Sequence, residues 1–236
     1  MSDLPFEGRR LHFVGIGGAG MSGLALVARA LGAEVSGSDQ ADSPYCDRLR
    51  AAGIEPVMGH DAANVPDGAE VVVSTAIPED NPELHTGARV LHRGDLLGEV
   101  SRLKRAIAIS GTHGKTTTAA MAAHVLRECG REPGFLIGGE LRSAGTNAGW
   151  GAGEWVVVEA DESDRSFLKL AREVAVVTSL PSRGRATRPT IAATSPGPWS
   201  SGRSSCSTAK PPPSRWVSPG VRISTRRGWS RALLSA

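Results

Sequence analysis

The sequence has few of the residues that hold small secreted proteins or metal-binding proteins together. It contains three cysteines, one tyrosine and only 4% aromatic residues among its 236 positions. Cys46, Cys129 and Cys206 lie far apart, and an odd, scattered set of cysteines indicates neither a disulfide framework nor a zinc site. The six histidines also lack the spacing of metal ligands. We therefore expect a reduced protein without a structural metal site.

Long apolar segments are also missing from the sequence. No segment approaches the roughly 18–20 apolar residues that a membrane-spanning helix needs. The first residues, Met1–Glu7, have no basic stretch followed by an apolar one, so they do not resemble a secretory signal. The expectation is a cytoplasmic protein without membrane insertion.

Acidic residues are absent from the last quarter of the chain. Residues 1–178 contain 17 Lys and Arg against 24 Asp and Glu, whereas residues 179–236 contain 10 Lys and Arg and no acid. The second segment also holds 13 Ser and 8 Pro, a composition that buries too little apolar surface to offset its chain entropy. We predict that residues 179–236 form a basic, disordered tail. Such a tail attracts polyanions at low salt, but it has no motif for a specific nucleic acid.

Short apolar segments alternate with helical patterns before this tail, which is typical of an α/β protein with parallel sheets. The pattern starts anew after residue 102. It predicts a Rossmann-like domain at 1–102 and a P-loop-type ATP-binding domain, incomplete, at 103–178. The predicted strands are Leu11–Val14, Val35–Ser38, Ile54–Val57, Val71–Thr75 and Val90–Leu91, then Ala106–Ser110, Phe135–Ile137, Trp155–Ala160 and Val174–Thr178. Helices are predicted at Tyr45–Ala52, Asp95–Arg102 and Thr118–Cys129, and a glycine-rich stretch at Gly138–Gly153.

The segment Gly15–Gly20, here named the first glycine loop, has the pattern G-x-G-x-x-G between a strand and a helix. Glycines permit a tight turn and close backbone approach, and the helix N-terminus offers N–H groups to a phosphate. Asp39 follows at the end of the second strand, where a carboxylate can contact a ribose hydroxyl. The pattern predicts a diphosphate site without specifying the nucleotide. The alternative is that the glycines serve only helix–strand packing.

The segment Gly111–Thr117, here named the second glycine loop, reads G-T-H-G-K-T-T and also lies between a strand and a helix. It is shorter than the common G-x-x-x-x-G-K-[ST] motif, because Ile109 stands where that motif has its first glycine. Lys115 is placed to neutralise the β- and γ-phosphates, and Thr116 to bind Mg²⁺ through its hydroxyl. The alternative is a plain turn with a solvated lysine.

Four acids within six residues, in the segment Glu159–Asp164, follow the predicted strand that begins at Trp155. Carboxylates at the carboxyl ends of parallel strands face the crevice in which ligands bind, and Mg²⁺ prefers hard oxygen ligands. A solvated acidic loop is the alternative. The preceding ATP-type loop favours metal binding, at least for Glu159.

Taken together, these segments resemble the Mur ligase family over about residues 8–178. The combination is specific, although either glycine loop alone is not. The segments that carry the resemblance are His12–Gly23, Ser36–Asp39, Ser74–Ile77, Gly111–Thr117, Gly138-Gly139, Gly145–Asn147 and Glu159–Asp164.

The resemblance implies an ATP-dependent carbon–nitrogen ligase of peptidoglycan synthesis that joins L-alanine to UDP-N-acetylmuramate through an acyl phosphate. It implies ATP and Mg²⁺ as cofactors, with Lys115 and Glu159 as catalytic residues and Thr116 and Glu159 as metal ligands. The implied ATP-binding residues are Gly111, Thr112, His113, Gly114, Lys115, Thr116 and Thr117. The implied UDP-sugar-binding residues are Gly15, Gly17, Gly18, Gly20, Asp39 and Ser74.

The sequence departs from the family pattern after Thr178. There the family continues into Asn-x-x-x-Asp-His, whose histidine is a further metal ligand, but Ser179–Arg183 follows and no histidine occurs after His124. We expect this chain to be inactive, because the rest of the central domain and the C-terminal domain are missing. Our hypothesis is that the tail is translated out of frame, and sequencing of the gene across the codon of Thr178 tests it.

Two other functions remain open from the sequence alone. A nicotinamide-dependent oxidoreductase would explain the first glycine loop and Asp39, but it leaves the second glycine loop unexplained. A protein that binds a UDP-sugar without catalysis would need only the first unit.

Overall fold

The computed structural model describes residues 4–160 and 168–179, and the backbone of two short strands at 190–193 and 222–223. Five parallel strands form the first sheet, in the spatial order β3-β2-β1-β4-β5. The strands are β1 (Arg10–Val14), β2 (Glu34–Asp39), β3 (Val57–Met58), β4 (Glu70–Val73) and β5 (Val90–His92). The helices between them are α1 (Ala19–Ala30), α2 (Pro44–Ala51) and α3 (Arg93–Arg102), with 3-10 turns at Ala62–Asn64 and Pro82–His85.

The central strand of this sheet is buried on both faces. Leu11, Phe13 and Val14 of β1 are completely buried, as expected where helices cover both sides of a parallel sheet. Local sequence signals fix the helix ends. Ser43 caps α2 by accepting a hydrogen bond from the backbone N–H of Tyr45.

The second sheet has the order β12-β11-β10-β6-β9-β7-β8. Its central strands β10, β6, β9 and β7 are parallel, whereas β8 pairs antiparallel with β7, and β11 antiparallel with β10. The elements are β6 (Arg105–Ser110), α4 (Lys115–Glu128), β7 (Gly134–Leu141), β8 (Thr146–Gly149), β9 (Trp155–Glu159), β10 (Val174–Val177), β11 (Thr190–Ala193) and β12 (Arg222–Ile223).

One apolar core joins the two sheets. Leu24 of α1 belongs to the same buried cluster as Leu136 of β7 and Ala148 of β8, and Val100 of α3 to the same cluster as Ala106 of β6. Only two residues separate α3 from β6. Within the described residues, no helix has the length and apolar content needed to cross a membrane.

The fold confirms the predicted α/β class and corrects several element boundaries. The third strand is Val57–Met58 rather than Ile54–Val57, because the Ile54 N–H bonds the Leu49 carbonyl at the end of α2 and Pro56 has no N–H to donate to a sheet. Helix α4 begins three residues early, at Lys115, because Gly114 provides the left-handed turn at its N-terminus. Division of the chain at residue 102 remains a prediction.

Residues 138–153 are rich in glycine, as noted from the sequence, but the expectation that this stretch only separates strands is wrong. It contains the end of β7 and all of β8, which form a hairpin with Gly145 at a φ of +65° in the turn.

Most of the predicted disordered tail lies outside the described residues. Strands β11 and β12 fall within it, and the prediction did not include them.

Candidate functional site

The first glycine loop connects β1 to α1 and is held by the end of β2. The backbone N–H groups of Gly15 and Ile16 both donate to the carbonyl of Ser38, at 2.8 and 2.9 Å. Gly15 has a φ of +75°, a conformation that favours glycine. Gly18 occupies the N-cap position of α1, with neither a side-chain cap nor an acid in the first helical turn. The N-terminus of α1 thus has the features of an anion site.

Gly17 is required for packing within the loop. A Cβ atom at this position would lie 2.9 Å from Cys46 Sγ and 3.0 Å from Asp39 Oδ2. The packing alternative raised by the sequence therefore describes one role of this glycine.

The six residues predicted to bind the UDP-sugar line one cavity of about 420 Å³ beside α1. This volume is within the usual range for small-molecule sites. The lining residues are Gly15, Gly17, Gly18, Gly20, Met21, Asp39, Ala41, Asp42, Ser43, Ser74, Ala76, Ile77 and Arg93.

Asp39 is bonded to the loop itself. Its Oδ2 atom accepts a hydrogen bond of 2.8 Å from the backbone N–H of Gly17. The carboxylate therefore fixes the loop conformation, and its predicted contact with a ribose hydroxyl remains a prediction.

Arg93 is a cavity residue that the sequence analysis missed. It is the first residue of α3 and the cation among the described residues that line the cavity. Its guanidinium lies so close to Gly20 that a Cβ atom on Gly20 would clash with it. The available signal was its place directly after β5, because ligands bind at the carboxyl ends of parallel strands.

A buried polar cluster lies behind the first loop, at the end of β2. Its centre is the Glu83 carboxylate, which is completely buried. Glu83 accepts hydrogen bonds from Ser38 Oγ at 2.6 Å and Asn64 Nδ2 at 2.8 Å, and His60 Nδ1 lies 3.4 Å away. His12 Nε2 lies 3.6 Å from Glu83, and burial lowers the pKa of His12 although the carboxylate acts to raise it. The cluster therefore holds the strand end whose Ser38 carbonyl binds the loop.

The second glycine loop connects β6 to α4. Gly111 and Gly114 have φ angles of +130° and +81°, so both positions favour glycine. The Lys115 ammonium folds back over the loop and donates to the Gly111 carbonyl at 2.8 Å. Thr178 contacts the same loop, because its Oγ1 hydroxyl donates a hydrogen bond of 2.6 Å to the His113 carbonyl.

Glu159 lies at the end of β9 and connects the second loop to β7. Its Oε1 atom accepts a hydrogen bond from Thr116 Oγ1 at 3.0 Å, and its Oε2 atom accepts one from the Gly138 N–H at 2.7 Å. A hydroxyl and a carboxylate this close are hard oxygen donors of the kind that Mg²⁺ prefers.

The other predicted acids, Asp161–Asp164, lie outside the described residues. Among the described residues, no group of three or more His, Cys, Asp or Glu side chains forms a metal site. The expectation of no structural metal site is not tested by this observation.

Comparison with known proteins adds to this geometry. Residues 10–105 match the model of the Mur ligase family, catalytic domain. The UDP-N-acetylmuramate–L-alanine ligase of Burkholderia ambifaria is 52% identical over 176 residues, which are 73% of this chain and 38% of that protein. The ligase of the same name from Xylella fastidiosa is 54% identical over 175 residues, 72% of this chain and 37% of its own length. The chain thus spans less than two fifths of these curated relatives.

Solved structures give the same result. A crystal structure of UDP-N-acetylmuramate-alanine ligase MurC from Thermotoga maritima is similar, with a TM-score of 0.69 and 35% identity over 74% of this chain and 42% of that one. A second similar structure is the Neisseria meningitides UDP-N-acetylmuramate:L-alanyl-gamma-D-glutamyl-meso-diaminopimelate ligase, with a TM-score of 0.67 and 32% identity over 73% of this chain and 61% of the other. Over its N-terminal three quarters, the chain therefore belongs to the Mur ligase family.

Proposed function

We propose that this chain carries the UDP-sugar and ATP loops of a ligase that joins L-alanine to UDP-N-acetylmuramate in peptidoglycan synthesis. The observation that carries the proposal is the presence of two glycine loops, each at the carboxyl end of a central strand of its own sheet. A dehydrogenase would need only the first. The curated relatives named for this reaction support the choice of substrates, and the cytoplasm is the proposed location.

The first loop is proposed to hold the diphosphate of the UDP-sugar. Positive charge comes from the N-terminus of α1 and from the Arg93 guanidinium, which lies against Gly20. Asp39 and Asp42 line the other part of the cavity and offer oxygen atoms to ribose hydroxyls. The cavity lining thus offers both a cation for a diphosphate and carboxylates for sugar hydroxyls.

The second loop is proposed to hold ATP. Residues Gly111–Thr117 surround the phosphates, and Lys115 exchanges its bond to the Gly111 carbonyl for one to a phosphate oxygen. Thr116 Oγ1 and Glu159 would hold Mg²⁺, which supplies charge neutralisation on the phosphates when bound.

The ligation that we propose has two steps. The muramate carboxylate attacks the γ-phosphate of ATP, which breaks the bond to ADP and gives an acyl phosphate. The amine of L-alanine then attacks the acyl carbon, phosphate leaves, and the amine releases a proton to solvent. Lys115 would stabilise the negative charge on the transferring group. The 236-residue chain by itself is expected to show no turnover, because the sequence lacks the histidine that the family pattern places after the strand at Val174–Thr178.

Titration calorimetry on the 236-residue chain tests the proposal. UDP-N-acetylmuramate should bind at a Kd at least about tenfold lower than that of NADH, because the relatives that this chain matches are named for that substrate. NADH bound more tightly than the UDP-sugar would contradict the proposal and favour an oxidoreductase. Phosphate release that requires both L-alanine and UDP-N-acetylmuramate would contradict the expected inactivity of this chain.

A further inference from the structure

Asn147 lies between the two glycine loops, and the role of its side chain is not explained by either loop alone. The residue is completely buried on β8. Its Nδ2 atom donates to the carbonyl of Ala19 at 2.7 Å and lies 3.4 Å from Ser22 Oγ. Ala19 is the first residue of α1. The Asn147 side chain of the second sheet therefore bonds the first turn of the helix that carries the end of the first glycine loop.

The other end of the Asn147 amide is unusual. Its Oδ1 atom is buried and has no hydrogen-bond partner among the described residues. A buried acceptor without a partner costs free energy, whereas an apolar side chain of similar size would avoid that cost. Simple packing is therefore an insufficient reason for an asparagine at this position, which indicates that the bond from Nδ2 matters.

A continuous path connects this bond to the second glycine loop. Strand β8 pairs with β7, and the Gly138 N–H of β7 donates to Glu159, which accepts the hydroxyl hydrogen of Thr116. Helix α1 packs against both strands of the hairpin, so the hairpin lies between the two sites. Movement of β8 relative to α1 would change the distance between the first loop and the second.

We propose that Asn147 is a positioning residue, which fixes the N-terminal turn of α1 against the β7–β8 hairpin and so sets the position of the UDP-sugar relative to ATP. The inference rests on the proposed function for the identity of the ligands, but not for the position of the loop. In-line transfer between two bound substrates is sensitive to such positions, since a shift of about 1 Å can lower a rate on the order of 100-fold.

Hydrogen exchange on the unliganded chain tests the positioning directly. In Asn147→Ala, exchange of the Ser22 amide, whose N–H bonds the Gly18 carbonyl in the first turn of α1, should increase about tenfold. Exchange within β1 should not change. The matched control is Leu141→Ala, which removes a buried side chain of the same hairpin from a core cluster that contains no α1 residue. Leu141→Ala should lower the Tm at least as much as Asn147→Ala does, yet leave the exchange rate of the Ser22 amide unchanged.

A second variant separates positioning from simple loss of stability. Asn147→Asp keeps the size of the side chain, and only its protonated form can donate to the Ala19 carbonyl. At pH 8 it should lose at least as much Ser22 protection as Asn147→Ala, because an ionised carboxylate cannot donate to the Ala19 carbonyl and is buried without a partner. At pH 5.5 the Ser22 amide should regain part of its protection relative to the unmodified chain at the same pH. This variant also decides the matter if Asn147→Ala fails to fold.

Titration with UDP-N-acetylmuramate and with a non-hydrolysable Mg-ATP analogue completes the test. Asn147→Ala should weaken binding of the UDP-sugar about tenfold and leave binding of the analogue unchanged. Equal exchange at Ser22 in Asn147→Ala, Leu141→Ala and the unmodified chain would overturn the inference. Failure of the unmodified chain to bind the UDP-sugar would instead overturn the proposed function, while the exchange data would still show whether Asn147 positions α1.

Discussion

The two glycine loops differ in how the molecule supports them. The first is held by its own sheet, through two hydrogen bonds to Ser38 and the buried Glu83 cluster behind it. The second depends on Thr178, directly after β10, and every residue of β10 is only half-buried, in contrast to the buried centre of β1. The comparison shows that the same loop-before-helix pattern can be supported by a completely buried cluster in one place and by a half-buried strand in another.

The sharpest test of this comparison is Lys115→Met. Removal of the ammonium should weaken ATP binding about 100-fold or more, because the charged contact between Lys115 and a phosphate is lost. Binding of UDP-N-acetylmuramate to the first loop should be unchanged. A fluorescent ATP analogue measures the loss, and calorimetry with the UDP-sugar is the control. Unchanged ATP binding would show that the second loop is a plain turn.

Glu83→Ala should break the local support of the first loop. Removal of a completely buried carboxylate leaves Ser38, Asn64 and His60 without their common partner, so we expect a loss of about 3 kcal/mol in the free energy of unfolding. Urea unfolding followed by circular dichroism measures it.

The matched control for Glu83→Ala is Glu79→Ala, which removes an exposed carboxylate in the same segment and should cost less than about 0.5 kcal/mol. Equal stability of the two variants would mean that the buried cluster does not hold the loop.

Arg93→Met tests ligand binding at the first loop rather than the stability of the fold. We expect UDP-sugar binding to weaken about tenfold, because one charge-assisted contact to the diphosphate is lost from a site that also uses the N-terminus of α1. Calorimetry measures the change. Arg102→Met, at the other end of the same helix, is the control and should bind like the unmodified chain. A similar loss in both variants would indicate a general charge effect.

The parts of the site that could be predicted from the sequence are those with a rigid local pattern. Glycines at fixed spacing between a strand and a helix identify both loops, and the structure brings all six predicted UDP-sugar residues to one cavity. Glu159 could be predicted for the same reason, since it ends an apolar strand. The hydrogen bond between Glu159 and Thr116 connects residues 43 positions apart. The sequence analysis brought these two residues together only by assigning both to the same Mg²⁺.

The remaining parts depend on contacts that no local pattern encodes. Glu83 lies in a short polar segment typical of a solvated turn, yet it is buried because Ser38, Asn64 and two histidines converge on it from other elements. Arg93 begins a helix and would be taken from the sequence for a surface residue, but the fold places its guanidinium against Gly20 of α1. The hairpin of β7 and β8 was hidden because glycine is depleted in strands, although Gly138 here makes room for the Glu159 carboxylate.

The shared core has a consequence for how such proteins can be recombined. Helix α1 of the first sheet covers the hairpin of the second, and a link of two residues joins α3 to β6. If either half were replaced by its counterpart from an unrelated nucleotide-binding protein, the apolar surface of the other half would meet side chains of the wrong shape. The two halves are thus shaped to each other, and a chimaera would have to carry α1 and the hairpin together.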